Sequence, residues 1–262
     1  MSILSIQSHV VYGYVGNKAA VYPLQAMGYD VLPINTVQFS NHTGYETWQG
    51  QILSRELIKS LVDGLDSIDV LKDCQAILSG YMGSADICHE VYDVVQRVKR
   101  KNSDAIYLCD PVIGNKSCYV KPEVLDFFHN NLYADIITPN QFEAEILSGR
   151  KINKIDDAHK VAKLFHAKGI KIVVITGIDF NNNILSSYVS YSGNFLIAQQ
   201  KKYDFSFSIN GTGDLFSALF LGNYLRNNDP FESLKITTSS VDEVIERTFV
   251  SKKKELQVID FL

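Results

Sequence analysis

The sequence predicts an α/β protein: a mostly parallel central sheet with helices on both faces, three layers in all. Two observations point there. Short apolar runs alternate along the chain with amphipathic segments, the pattern of strands joined by covering helices. Several of those runs are unbroken rather than alternating, which requires burial on both faces of the strand.

The strand candidates are ILSIQ (3–7), DVLPINTV (30–37), QAILSG (75–80), AIYLCD (105–110), ADIITP (134–139) and KIVVITG (171–177). Between the third and fourth, Ile87, Val91, Val94, Val95 and Val98 recur at helical spacing, with Ser84 placed to cap and a basic last turn. DDAHKVAKLFHAKG reads as a second amphipathic helix that stops at Gly169. After Asp214, the residues Leu215, Phe216, Ala218, Leu219, Phe220, Leu221, Tyr224 and Leu225 are apolar on nearly every side, so that helix is expected to be buried. No repeat, low-complexity tract or linker divides the chain, and residues 1–262 are expected to form one domain.

Composition excludes several function classes. At 262 residues, with 46% hydrophobic and 21% charged, the chain has ordinary globular values and enough length for a substantial core. A net charge of -4 leaves no broad basic surface, and the run 252–254 of three lysines is expected to be a solvated helix face, so nucleic acid is not an expected partner. Cys74, Cys88, Cys109 and Cys118 form no C-x-x-C pair and read as reduced thiols. No basic leader opens the sequence and no apolar stretch approaches the ~20 residues of a membrane span, so a soluble, cytoplasmic protein is expected.

Chemistry gathers at the strand ends. The first strand is expected to exit into Ser8 and Gly13, and later ones into Gly80 and Tyr81, Asp110 and Pro111, Pro139 and Asn140, and Thr176 and Gly177. In an open parallel sheet all carboxyl ends share one edge, where ligands bind. Turns use the same residue types whatever the function, so each alone is weak. The segment INGTGDLF (209–216) is more telling. Glycines at a helix start present unpaired backbone N–H groups to an anion. Asp214 beside such an anion is unfavourably placed unless it has a task, and deprotonating a hydroxyl that attacks phosphorus is one. The stretch alone equally admits a glycine-rich turn with Asp214 as an ordinary N-cap. A G-x-x-x-x-G-K-[ST] loop is missing, and no G-x-G-x-x-G follows the first strand, which disfavours P-loop and nicotinamide chemistry.

The segments SIQSHVVYGYVGNKAA, NTVQFSNHTGY, LSGYMGS, CDPVIG, ITPNQFEAEILSGRKI and GTGDLFSALFLG together closely resemble the pyridoxal kinases of the ribokinase-like superfamily, over nearly the whole chain. GTGD marks only the superfamily; QSHVVYGYVGN and VQFSNHTGY mark the vitamin B6 kinases. The resemblance implies a ribokinase-like fold and ATP-dependent phosphorylation of the 5′-hydroxymethyl group of a B6 vitamer, with Asp214 as base and Gly211, Thr212 and Gly213 as the γ-phosphate cradle. It implies a vitamer pocket from Ser8, Val15, Thr43 and Tyr81, with Asp214 facing it. His42 either reaches the ring oxygen and aldehyde or is an exposed loop histidine. Asp110, Thr138, Asn140, Glu143, Thr176 and Gly177 match positions near ATP and its cations. Magnesium is implied near Glu143 through water, and potassium near Asp110, Thr138 and Thr176. Asn140-x-x-Glu143 also has capping-box spacing, and both readings can hold together. The adenine is expected on residues 203–209, and a homodimer is implied by the family alone.

Two departures are visible. Many pyridoxal kinases carry an acid after the DPV glycine and a longer loop, whereas GNKSCYV supplies Asn115, which puts a phosphate or metal contact from that loop in doubt. IDFNNNILSSYV is also compact, implying reduced cover over the phosphates. Phosphorylation of hydroxymethylpyrimidine, a similar flat heteroaromatic alcohol, is a sister possibility; a protein that binds pyridoxal phosphate without turnover is another.

Overall fold

A computed structural model describes residues 2–180 and 183–259. Its strands are β1 (Ser2–Tyr12), β2 (Asp30–Asn41), β3 (Gly50–Ile52), β4 (Cys74–Ser79), β5 (Ile106–Cys109), β6 (Gly114–Asn115), β7 (Ser117–Cys118), β8 (Ile136–Ile137), β9 (Ile172–Asp179), β10 (Ile184–Tyr191) and β11 (Asn194–Lys201). The helices are α1 (Asn17–Ala26), α2 (Arg55–Ser67), α3 (Ala85–Lys101), α4 (Pro122–Asn131), α5 (Gln141–Ser148), α6 (Ile155–Ala167), α7 (Thr212–Asn227) and α8 (Pro230–Ser251).

Nine strands form one sheet in the order β11-β10-β9-β8-β5-β4-β1-β2-β3. The six from β2 to β9 are parallel, and antiparallel strands finish both edges. From β1 the chain goes first to β2 on one side and later to β4 on the other. This reversal opens a crevice at the carboxyl ends of β1 and β4.

The unbroken apolar runs are explained by two cores. Leu4, Ile77, Tyr107, Ile137 and Val173 face α2 to α6, whereas Ile3, Leu78, Leu108, Ile136 and Val174 face α1, α7 and α8. Successive residues of one strand thus enter opposite cores, giving the three layers expected. Ser84 caps α3, its Oγ accepting from Ile87 N at 3.4 Å, and α6 gives way to Gly169 in the left-handed region at φ 93°. Residues 215–223 of α7 are all buried.

Three boundaries differ from expectation in ways that matter. β1 and β2 continue to Tyr12 and Asn41, so Ser8 lies inside a strand rather than beyond it. The parallel ladder resumes after a register shift between Gln7 and His9, and Val10, Val37 and Phe39 pack there into a small core of their own. Thr176 and Gly177 likewise lie inside β9, because antiparallel pairing with β10 carries that strand on to Asp179. The ladder slips beside Gly177, which takes φ 62°. The lysine run 252–254 is exposed but follows the end of α8 instead of lying on its face; Lys252 adopts φ 55° and stops the helix. Among the described residues the four cysteines are free, three of them buried, and no helix is long and apolar enough to cross a membrane.

Candidate active site

Helix α7 starts at the centre of the crevice. Its N-cap is Gly211 at φ 88°, where an added Cβ would meet the Tyr14 carbonyl oxygen at 1.8 Å, so only glycine lets the helix start this close to the turn after β1. Asp214 is therefore not the cap; it lies in the first turn. The Gly16 N–H and its own N–H donate to its carboxylate. Burial pushes the acid up to about 6, and those two donors hold it from rising further. Gly16, at φ 55° and packed against Ser8, is a site residue that sequence reading passed over.

Two more acids stand behind it. Asp110 directly follows β5 and is 3% exposed; its carboxylate accepts from Ser217 Oγ at 3.0 Å, and Ser217 Oγ lies 2.8 Å from Thr138 Oγ1. Burial, then the charges of Glu143 and Asp214, push Asp110 well above the usual carboxylate range. Ser217 was also missed, although it sits three residues after Asp214, on the same helical face. Glu143 completes a capping box with Asn140: Glu143 N donates to Asn140 Oδ1 at 3.0 Å and Asn140 N to Glu143 Oε2 at 2.9 Å. Its Oε1 accepts from Ile113 N at 2.9 Å and Gly114 N at 3.3 Å. Burial raises its carboxyl to about 7 against the pull of these three donors. Three backbone N–H groups thus donate to its two oxygens.

No Lys or Arg pairs with Asp110, Glu143 or Asp214 among the described residues, nor do three His, Cys, Asp or Glu side chains there form a direct metal cage. Three crowded acids without a counter-charge fit a cation that arrives already bound to a phosphate ligand. The hydroxyls of Thr138 and Ser217 beside Asp110 are donors of the kind a monovalent cation accepts.

A cavity of about 560 Å³ opens on one side of α7. It is lined by Asn140, Thr176, Gly177, Thr212 and Gly213, as expected, and an added Cβ on Gly213 would stand 3.7 Å from Asp110 Oδ2. Tyr203, Phe205 and Ile209 line its far end together with Val241 and Ile245 of α8, so the expected base segment does reach it. Asn115 and Lys116, in the β6–β7 hairpin, line it as well. The shortened loop therefore faces the cavity and brings Lys116 to its wall. Asn181 and Asn182 of the compact IDFNNNILSSYV connection lie outside the described residues.

The other residue group does not line this cavity. Val15 and Tyr81 pack on the Val10, Val37 and Phe39 core, and Thr36 Oγ1 fixes Tyr81 by donating to its carbonyl at 2.7 Å. Ser8 is 7% exposed behind Gly16, and Thr43 is exposed on the loop after β2. His42 is not an exposed loop histidine: its side chain is 11% exposed and its Nε2 lies 3.1 Å from Glu255 Oε1. The site thus has a nucleotide-sized cavity reached by Thr212 and Gly213 just before Asp214, and apart from it a small aromatic shelf around Val15 and Tyr81.

A family model described as phosphomethylpyrimidine kinase matches residues 26–258. The chain is 39% identical over 265 residues to pyridoxal kinase PdxY of Corynebacterium diphtheriae, covering 99% of this chain and 94% of that one. It is 41% identical over 266 residues to pyridoxal kinase PdxY of Vibrio vulnificus, covering 98% and 91%. Among solved structures, pyridoxal kinase from Leishmania donovani in complex with ADP and pyridoxamine superposes with a TM-score of 0.91 at 32% identity, over 99% of this chain and 94% of that one. One from Plasmodium falciparum, with ligands AMP-PNP and PL, gives 0.85 at 28% identity, over 99% and 92%. On the strength of these matches, the chain belongs to the pyridoxal kinase family, within the wider group that the phosphomethylpyrimidine kinase model describes.

Proposed function

We propose that this protein transfers the γ-phosphoryl group of ATP to the 5′-hydroxymethyl of pyridoxal, with pyridoxine and pyridoxamine as further acceptors. One observation carries the reading. Asp214 stands in the first turn of α7 and accepts from the Gly16 N–H of the turn after β1, while Thr212 and Gly213 of the same helical turn line the nucleotide-sized cavity. An alcohol on one side and a phosphate on the other would meet at this carboxylate.

Little covalent help is needed for phosphoryl transfer, so positioning and charge do most of the work. The opening amides of α7 and its dipole would cradle the γ-phosphate. Asp214 would take the hydroxyl proton as the oxygen attacks in line, its pKa near 6 leaving it ionised yet basic at neutral pH. Ser8, Val15, Thr43 and Tyr81 would orient the vitamer ring, and Tyr203, Phe205 and Ile209 would hold the base. Magnesium bound with the nucleotide beside Asp110, Asp214 and, through water, Glu143 would neutralise phosphate charge. Thr138, Thr176 and Asp110 would hold potassium. We further propose a homodimer acting in the reducing cytoplasm, a compartment that suits four free thiols.

The test is ATP-dependent phosphorylation of the three vitamers, with and without potassium, beside hydroxymethylpyrimidine. Turnover of pyridoxal well above the pyrimidine is expected. The family model's description supports the pyrimidine alcohol as a second reading, and preference for it would displace the first. Tight vitamer binding without ADP release would point to a carrier instead.

A further inference from the structure

The chain beyond α8 returns to the active site. Leu256 and Val258 are fully buried in the core against α1 and α7, and between α8 and these anchors Glu255 turns inward. Its side chain is 8% exposed. Oε1 accepts from Tyr45 Oη at 2.6 Å and from His42 Nε2 at 3.1 Å; Oε2 accepts from Tyr14 N at 3.2 Å. Gly44 N donates to His42 Nδ1 at 3.2 Å, which makes Nδ1 the acceptor and puts the ring proton on Nε2, facing the carboxylate. Burial alone would raise this acid, but the His42 and Tyr45 bonds outweigh it and leave the carboxyl below its usual range.

One carboxylate therefore joins two segments far apart in sequence. The first, residues 13–16, carries Val15 and the Gly16 N–H that holds Asp214. The second, residues 42–45, carries Thr43, and an added Cβ on Gly44 would stand 2.9 Å from Asn210 Nδ2 in the segment leading into α7. There is no slack in the first junction: a Cβ on Gly13 would come within 2.5 Å of Glu255 Oε2.

We propose that Glu255 is a positioning residue for the acceptor side of the site, fixing the 13–16 turn and the 42–45 loop at the separation that the vitamer ring requires. This builds on the vitamer-kinase reading, and touches neither the nucleotide cavity nor the transferred phosphoryl group.

The test uses Glu255→Gln, Tyr45→Phe and the double variant in the full chain, with fold checked by thermal melt. Losing charge-assisted bonds predicts a pyridoxal KM raised about ten-fold in each single variant, with the KM for ATP within about two-fold of the parent. Because both changes act on the same bond, Glu255→Gln removing its charge and Tyr45→Phe its donor, the double variant should be less impaired than the product of the two. Amides of 13–16 and 42–45 should exchange hydrogen faster in Glu255→Gln while those of β4 and β5 do not. An unchanged pyridoxal KM in a folded variant, an equal rise for ATP, or independent effects would overturn the proposal. If the parent enzyme does not turn over pyridoxal, the functional reading fails separately, and the exchange measurement still decides whether Glu255 organises both segments.

Discussion

A carboxyl with a pKa of about 6 is ionised at neutral pH yet basic enough to take a proton, and Asp214 is raised to about that value because burial outweighs its two backbone donors. Asp214→Asn keeps the shape but removes the base; turnover should fall by about 10²-fold or more with pyridoxal binding largely kept, measured by steady-state kinetics and calorimetry. For the free enzyme, kcat/KM should climb as pH rises through about 6 and then level, and a profile flat from pH 5 to 8 would reject the base assignment. Lys116, the exposed cation of the β6–β7 hairpin, faces the nucleotide cavity, so Lys116→Ala should raise the KM for ATP several-fold, by about 1 kcal/mol of lost phosphate attraction, and leave that for pyridoxal unchanged. At this scale the sequence was legible where a motif marked the residue, as at Asp214 and Asp110. It was silent on Ser217 and Glu255, whose roles come from partners 107 and 210 or more residues away, and on Lys116, whose place on the cavity wall only the fold sets.

Among the elements, α7 is the one whose placement decides the site. It is apolar around its whole circumference and must be buried, and Gly211 allows its first turn to enter against the Tyr14 carbonyl. Gly211→Ala forces a β-carbon into that contact at a left-handed φ; a loss of at least about 2 kcal/mol is expected by urea titration, with activity falling further because the cradle shifts. An unaltered midpoint would show that the turn has room to move. Helices and central strands could be read from the sequence because their apolar spacing records the two cores directly. The extensions of β1 and β9 could not, since each depends on pairing with another strand, β2 beyond α1 for the one and the adjacent β10 for the other, and the residues His9 to Tyr12 or Gly177 to Asp179 carry no mark of the partner.

For the whole molecule, the crowding of Asp110, Glu143 and Asp214 links stability to pH. Asp214 at about 6 and Glu143 at about 7 lie above their ordinary values, so the folded state holds these protons more tightly than the unfolded chain does. What they contribute to stability is fully present below about pH 4 and disappears as pH climbs to about 7. Paired surface acids such as Asp63 and Asp66 act in the opposite sense, so the cluster is isolated by adding a cation. Magnesium with ADP should raise the melting temperature more at pH 8 than at pH 5, read by scanning fluorimetry; equal shifts would mean that the acids do not face the ion. We also propose that the chain unfolds as one unit, with fluorescence and circular dichroism giving a single coincident urea transition. The closure made by Glu255 spans 241 residues to Tyr14, 213 to His42 and 210 to Tyr45. Contacts so remote form late in folding, after the layers that bring them together. The acceptor half is therefore expected to close after the sheet and the helices around it are in place.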